Sequence, residues 1–434
     1  MRPRAPLIAL WALGGACAGP PPTIVVRGAT LIDGTGAPPL ANSVLVADAG
    51  RIRCTGPADS CPVPEGADEV DGHGFWIIPG LIDTHVRLRY REHPVDSDHD
   101  QEFGFLLGVT TTRLTETAGD VEENRQAAVG RDDPWLALPR LVVGTHGASE
   151  GFSSLTDGVG ISALVAPPPS PTHGSADPGE PSADLSHHLV WADADPDSLR
   201  QIATSIADRG LWIEPLLAVE RRYVRPYGVP VGLHRLLELP LVSKALEDEP
   251  VPEMSEDVRT TMREELDHMD DFVRAFNEAG GSLVTGSDEV IAPGLAIHAE
   301  IAALVGAGLS NADALAAATR NAALAIGVQD SLGTLEPGKL ADFIVLEGDP
   351  LADVANIQLI ARVAKGGVLY DPSTLLDNLA EDLRDRATPP WLRLLVGFGA
   401  MVIVAILTLW AIRRQRAGLA SSSRRDGILP IRRP

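Results

Sequence analysis

Between Trp76 and residue 330, short apolar, β-branched runs alternate with stretches of helical period, which restricts the chain to an α/β architecture built on a parallel sheet. The runs at 76–81, 108–114, 140–145, 185–191, 211–217 and 282–285 read as strands. The clearest helix starts at Glu256 behind the cap Ser255, carries Val258, Met262, Leu266, Met269 and Val273 on one stripe, and stops at Gly280 and Gly281. Another follows Ser310. Prolines from Pro167 to Pro181 mark 147–181 as loop, and 223–252 reads as an excursion over one end of the sheet.

The flanks have a different period. From Thr23 to Val70, alternating pairs such as Ile24 and Val26 or Val44 and Val46 are cut by Gly34, Gly36, Pro38, Pro39 and Gly50, as in hairpins. A similar strand, 341–346, returns after Pro337 and Gly338, followed by 363–370. Segments 23–75 and 331–371 are therefore expected to build one small β-sandwich from both ends of the 76–330 unit. A chain of 434 residues suits an α/β barrel with such a sheet appended. The net charge of −23 argues against a nucleic-acid partner.

Residues 1–18 have the order of a secretory signal: Arg2 and Arg4, an apolar stretch from Ala5 to Leu13, then Ala16, Cys17 and Ala18. Gly14 makes Cys17 a poor lipidation site. The two remaining cysteines, Cys54 and Cys61, suit a loop disulfide in an oxidising compartment. After a linker at 372–390, residues 391–412 include the charge-free run 394–412, near the length of about 20 residues that spans a bilayer. Trp391 and Trp410 stand near its ends, and Arg413, Arg414 and Arg416 open a basic tail, 413–434, that belongs in the cytoplasm. The expected protein is exported and anchored in the cytoplasmic membrane by a C-terminal transmembrane helix, with its folded part on the outer side.

The segment PGLIDTHVRL, Pro79 to Leu88, sets an apolar strand directly before Asp83 and His85, so an imidazole emerges at the strand's carboxyl end. With LIDGTG at 31–36, GVTTTR at 108–113, TGSD at 285–288 and LEPGKLADFIVLEGDPL at 335–351, the chain from Ile24 to Tyr370 resembles the amidohydrolase superfamily, in the imidazolonepropionase and prolidase-like branch. The resemblance implies a TIM-type (β/α) barrel, here lacking or compressing one or two strands. It also implies metal ligands: two histidines on the first strand, often a carboxylated lysine on the fourth, histidines on the fifth and sixth, and an aspartate on the eighth.

Only His85 and Asp288 match that set. Arg87 stands where the second histidine belongs, and a guanidinium has no lone pair to donate. Of the three lysines, Lys244 falls in the 223–252 excursion, and Lys339 and Lys365 fall in the small sheet, so a lysine-bridged pair of metals is not expected. Taking 184–191 as the sixth strand makes 211–217, with Pro215, the seventh; taking it as the fourth puts His187 at the lysine's place. The first registration fits the spacing to Asp288 better. On either, His187 or His188 is the best third ligand, since alternation points only one of them inward.

His85, one of that pair and Asp288 would leave an open position for water, with Asp288 taking its proton. Arg87 either holds a substrate carboxylate or fills the vacated space and pairs with Asp83 or Asp288. Arg113, His146 and His298 are further candidates for the substrate site.

Two functions follow. One is a hydrolase for a non-peptide C–N bond or a small dipeptide-like or ester substrate, using one divalent metal, zinc first, to activate water. The other is a catalytically inactive binding or scaffold protein without metal. The partners expected are a small molecule and the membrane, with an oligomer left open.

Overall fold

The computed structural model describes residues 21–86, 97–114, 130–143, 152–154, 195–221, 255–287 and 293–387. The signal segment, Arg87, His146, His187, His188, Asp288 and the segment 391–412 lie outside them. Among the described residues no helix is long and apolar enough to cross a membrane.

Both flanks join one hydrogen-bonded sheet. The first supplies β1 (Ile24–Leu31), β2 (Leu40–Asp48), β3 (Arg51–Pro57), β4 (Asp68–Asp71) and β5 (Trp76–Pro79), and the second supplies β12 (Phe343–Leu346), β13 (Ile360–Lys365) and β14 (Val368–Tyr370). The order is β14-β13-β12-β5-β1-β2-β3, with β4 pairing β1 beside it. The sheet branches at β1, where Ile24 to Arg27 pair with β4 and Thr30 and Leu31 with β5. Alternation along β1 and β2 buries two faces: Ile24, Val26 and Leu45 on one, Val25, Val44 and Val46 on the other. Cys61 packs on the second face and is disulfide-bonded to Cys54.

The run expected as one strand over 76–81 divides at Gly80. Residues 76–79 lie antiparallel to β12, and the chain then enters the barrel as β6 (Leu81–Val86). A side chain at Gly80 would collide with Thr110, so glycine is what allows the crossing.

β6, β7 (Val109–Leu114) and β8 (Arg140–Val143) are parallel neighbours. So are β9 (Phe152–Ser154), β10 (Trp212–Glu214) and β11 (Ser282–Leu283). The extension of β11 joins the two groups: Thr84 N donates to Thr285 O at 3.0 Å, and Ser287 N to His85 O at 3.3 Å. The described strands thus form one parallel arc, β8-β7-β6-β11-β10-β9, of a TIM-barrel-like α/β fold.

β10 lies beside β11, as expected for strands seven and eight. Its other flank is occupied by Phe152–Ser154, from a stretch expected to be loop; the proline-dense part of that stretch begins only at Pro167. The strand expected over 211–217 ends at Glu214, because Leu216 takes a left-handed backbone, φ +53°, and Leu217–Arg221 turn into a helix.

Helices cover the arc. α1 (Ser97–Leu106) precedes β7, α2 (Pro196–Asp208) precedes β10, and the Leu217–Arg221 helix is α3. α4 (Glu256–Glu278) is capped by Ser255, whose hydroxyl accepts from Val258 N at 3.3 Å. Its buried stripe is Met262, Met269, Phe272, Val273 and Phe276, while Val258, expected on that stripe, is 46% exposed in the first turn. Phe272 and Phe276 join Leu199, Ala203 and Ile206 of α2 and Ile213 and Leu283 of the strands in one core. α5 (Pro293–Gly306) adds Ile297, Ile301 and Leu304. The short helices α6 (Asn311–Ala317) and α7 (Arg320–Ala325) lead back to the sheet, and α8 (Pro372–Ala387) follows it. The described residues up to Leu379 belong to one compact unit, and a second begins at Ala380.

Candidate active site

Three side chains meet at the carboxyl ends of β6 and β10, the rim where parallel barrels place their chemistry. His85 is the second-last residue of β6 and Glu214 the last of β10, and both are buried. His85 Nδ1 lies 2.7 Å from Glu214 Oε2. The Thr84 hydroxyl meets the other carboxylate oxygen, Glu214 Oε1, and lies 2.8 Å from Thr285 O.

Alternation on β6 sends Asp83 and His85 to the same side. Asp83 Oδ1 accepts from His85 N at 3.1 Å and from Ser287 N at 3.0 Å, tying the end of β6 to the turn after β11. Asp83 Oδ2 is buried without a hydrogen-bond partner among the described residues. Burial pushes the Asp83 carboxyl up to about 8, and the nearby Glu214 charge adds to the rise, so this group holds its proton at neutral pH.

Gly286 completes the arrangement. A side chain there would collide with the Glu214 carboxylate and His85 Cβ, so the glycine of TGSD makes room for their contact.

Glu300, on α5, is a third buried carboxyl on this side. Its Oε2 accepts from Ala218 N at 2.7 Å in the first turn of α3, and its Oε1 has no hydrogen-bond partner among the described residues. Burial raises its pKa to about 7.

Arg113 comes to this rim: at the end of β7 it donates to Thr84 O at 3.2 Å. His298 goes elsewhere. Its Nε2 donates to Leu107 O at 2.7 Å, just before β7 begins, and so belongs to the opposite end of the strands. Burial lowers its pKa to about 4, which keeps it neutral. Arg87, His146, His187, His188 and Asp288 lie outside the described residues.

A divalent metal is usual for the family that the motifs resemble, and the described residues supply only part of a site. Among them, no three His, Cys, Asp or Glu side chains group as a metal set. His85 fits one coordination position, because a carboxylate at Nδ1 leaves Nε2 to act as donor. The described lysines are committed elsewhere. Lys365 Nζ donates to Arg131 O, Leu136 O and Leu138 O at 2.6, 3.2 and 2.7 Å, and Lys339 Nζ donates to Thr334 at 2.6 Å.

Glu214 and Glu300 were not singled out from the sequence, yet each leaves a mark there. Each is a lone carboxylate in an apolar run, WIEPLL and AIHAEIAAL, and carboxylates rarely enter a core without a task.

The sequence profile of the Amidohydrolase family matches residues 202–369. The imidazolonepropionase of Rhizorhabdus wittichii is 25% identical over 368 residues, covering 70% of this chain and 88% of that protein. That of Caulobacter vibrioides is 35% identical over a shorter stretch of 95 residues, 21% of this chain and 23% of the relative. The solved structure of molinate hydrolase superposes with a TM-score of 0.50 at 20% identity, covering 82% of this chain and 96% of that one. Profile and relatives make the chain similar to the amidohydrolase superfamily over much of its length, and the solved structure shares its fold.

Proposed function

We propose that this chain hydrolyses a non-peptide carbon–nitrogen bond, or the bond of a small dipeptide-like or ester substrate, at the barrel rim around His85. The reaction class is that of its family. The observation that carries the reading is the buried imidazole of His85 at the end of β6, held at Nδ1 by Glu214. A side chain kept only for packing would not need a buried carboxylate brought to it from β10.

In this reading His85, one of His187 and His188, and Asp288 would hold a single divalent ion, with zinc the first candidate. When bound, such an ion supplies Lewis acidity and brings the pKa of water near 7. The chain's own residues do the rest. Glu214 orients His85, and Asp288 receives the proton of the attacking water. Arg113, together with Arg87, offers a guanidinium fork to a substrate carboxylate. Asp83 ties the end of β6 to the turn after β11 so that these groups keep their spacing.

The reading also places the protein outside the cytoplasm, anchored by residues 391–412. The Cys54–Cys61 disulfide supports this, since such bonds persist in oxidising compartments.

The second reading, a metal-free binding protein, is favoured by Arg87, a fixed cation at a ligand position. Metal content decides between them. The purified full chain should carry about one equivalent of divalent metal by elemental mass spectrometry, and His85→Ala should lose it. A wild-type chain that stays metal-free after incubation with zinc and removal of the excess supports the binding protein instead.

A further inference from the structure

We infer that Glu214 is a positioning residue that fixes the Nδ1–H tautomer of His85 and so makes Nε2 the nitrogen that works. The inference rests on the reading above only in taking His85 as the working side chain.

Three constraints converge on the pair. First, Glu214 Oε2 sits 2.7 Å from His85 Nδ1, and both side chains are buried, at 0% and 3% exposure. A carboxylate only accepts, so the shared hydrogen resides on Nδ1; the other tautomer would face a lone pair with an anion at contact distance. Second, the carboxylate cannot easily turn away. Its Oε1 meets the Thr84 hydroxyl, which is itself set against Thr285 O at 2.8 Å. Third, Gly286 leaves space filled by this carboxylate and by His85 Cβ, so the backbone after β11 is shaped around their contact.

The consequence is chemical. With Nδ1 carrying the hydrogen, Nε2 presents its lone pair, the state required either to hold a metal ion or to accept a proton. The carboxylate also increases the basicity of the ring. Glu214 need touch neither substrate nor metal to do this. Loss of such a partner typically costs about 10–100-fold in activity or metal affinity.

The test reads the tautomer itself. Full-length chain labelled with 15N in histidine only, without added metal or substrate, is compared by NMR with Glu214→Leu, which removes the acceptor at similar size. His85→Gln identifies the His85 signals. The expected result is an Nδ1–H imidazole in the wild type and a shift to predominantly Nε2–H in E214L. A wild-type ring protonated at Nε2 alone overturns the inference even if E214L does not fold, and so does a folded E214L that keeps the Nδ1–H form. Because no turnover is read, a chain that shows the Nδ1–H form yet cleaves nothing contradicts the hydrolase reading and leaves this inference standing.

Discussion

Three carboxyls, Asp83, Glu214 and Glu300, share the buried interior near the end of β6 with the imidazole of His85. Two of the carboxyls are raised toward neutrality: Asp83 to about 8 and Glu300 to about 7. For Glu300 the consequence for stability has a definite sign. Its folded pKa lies above the ordinary glutamate value of 4.5, so between those values the native state holds a proton that the unfolded chain has released. Stability from this group is present at low pH and falls as pH rises toward 7. Glu300→Gln keeps an oxygen for Ala218 N and removes the titration. Relative to wild type, E300Q should gain on the order of 3 kcal/mol as pH rises from 4.5 to 7.5, read from urea midpoints across that range. A gap that does not change with pH would refute the assignment.

At the scale of elements, the molecule is held together where barrel meets sheet. Arg140 at the start of β8 donates from Nε to Asp342 Oδ2 at 2.7 Å and from a terminal nitrogen to Oδ1 at 3.1 Å, and Asp342 Oδ1 also accepts from Gly366 N at 2.7 Å. Arg140 is 6% exposed and Asp342 4%, so removing one partner strands the other in a dry environment. Arg140→Ala should cost about 3–5 kcal/mol in equilibrium unfolding. A loss below about 1 kcal/mol would mean that water reaches the pair.

The same scale shows what the sequence discloses and what it hides. Hairpin spacing announced the sheet's strands, and β-branched runs announced β7 and β8, because period and composition are local properties. The division of 76–81 at Gly80 was not legible, since it depends on Thr110, some 30 residues away. Nor was the end of β10. Nothing local in Glu214-Pro215-Leu216 requires a left-handed leucine; a helix has to start there so that Ala218 N can meet Glu300. At the site, His85 was legible from its motif. Glu214 was hidden because its meaning comes from a partner 129 positions earlier.

For the whole molecule, a sheet made from both ends of the folded unit closes on a parallel barrel whose rim carries an oriented histidine. The barrel fold alone does not dictate a reaction, because unrelated chemistries use it; hydrolysis is inferred from similarity to amidohydrolases and from His85 with Glu214. The direct test is hydrolysis itself. Purified full-length wild type and His85→Ala, both supplied with zinc, are assayed for amine or acid release from a panel of N-acyl amino acids, cyclic amides, dipeptides and esters. The account predicts that wild type cleaves at least one class and that H85A loses activity by about 100-fold or more while unfolding at the same denaturant concentration. A wild type inert to the whole panel, or an H85A variant that cleaves as fast, would contradict it.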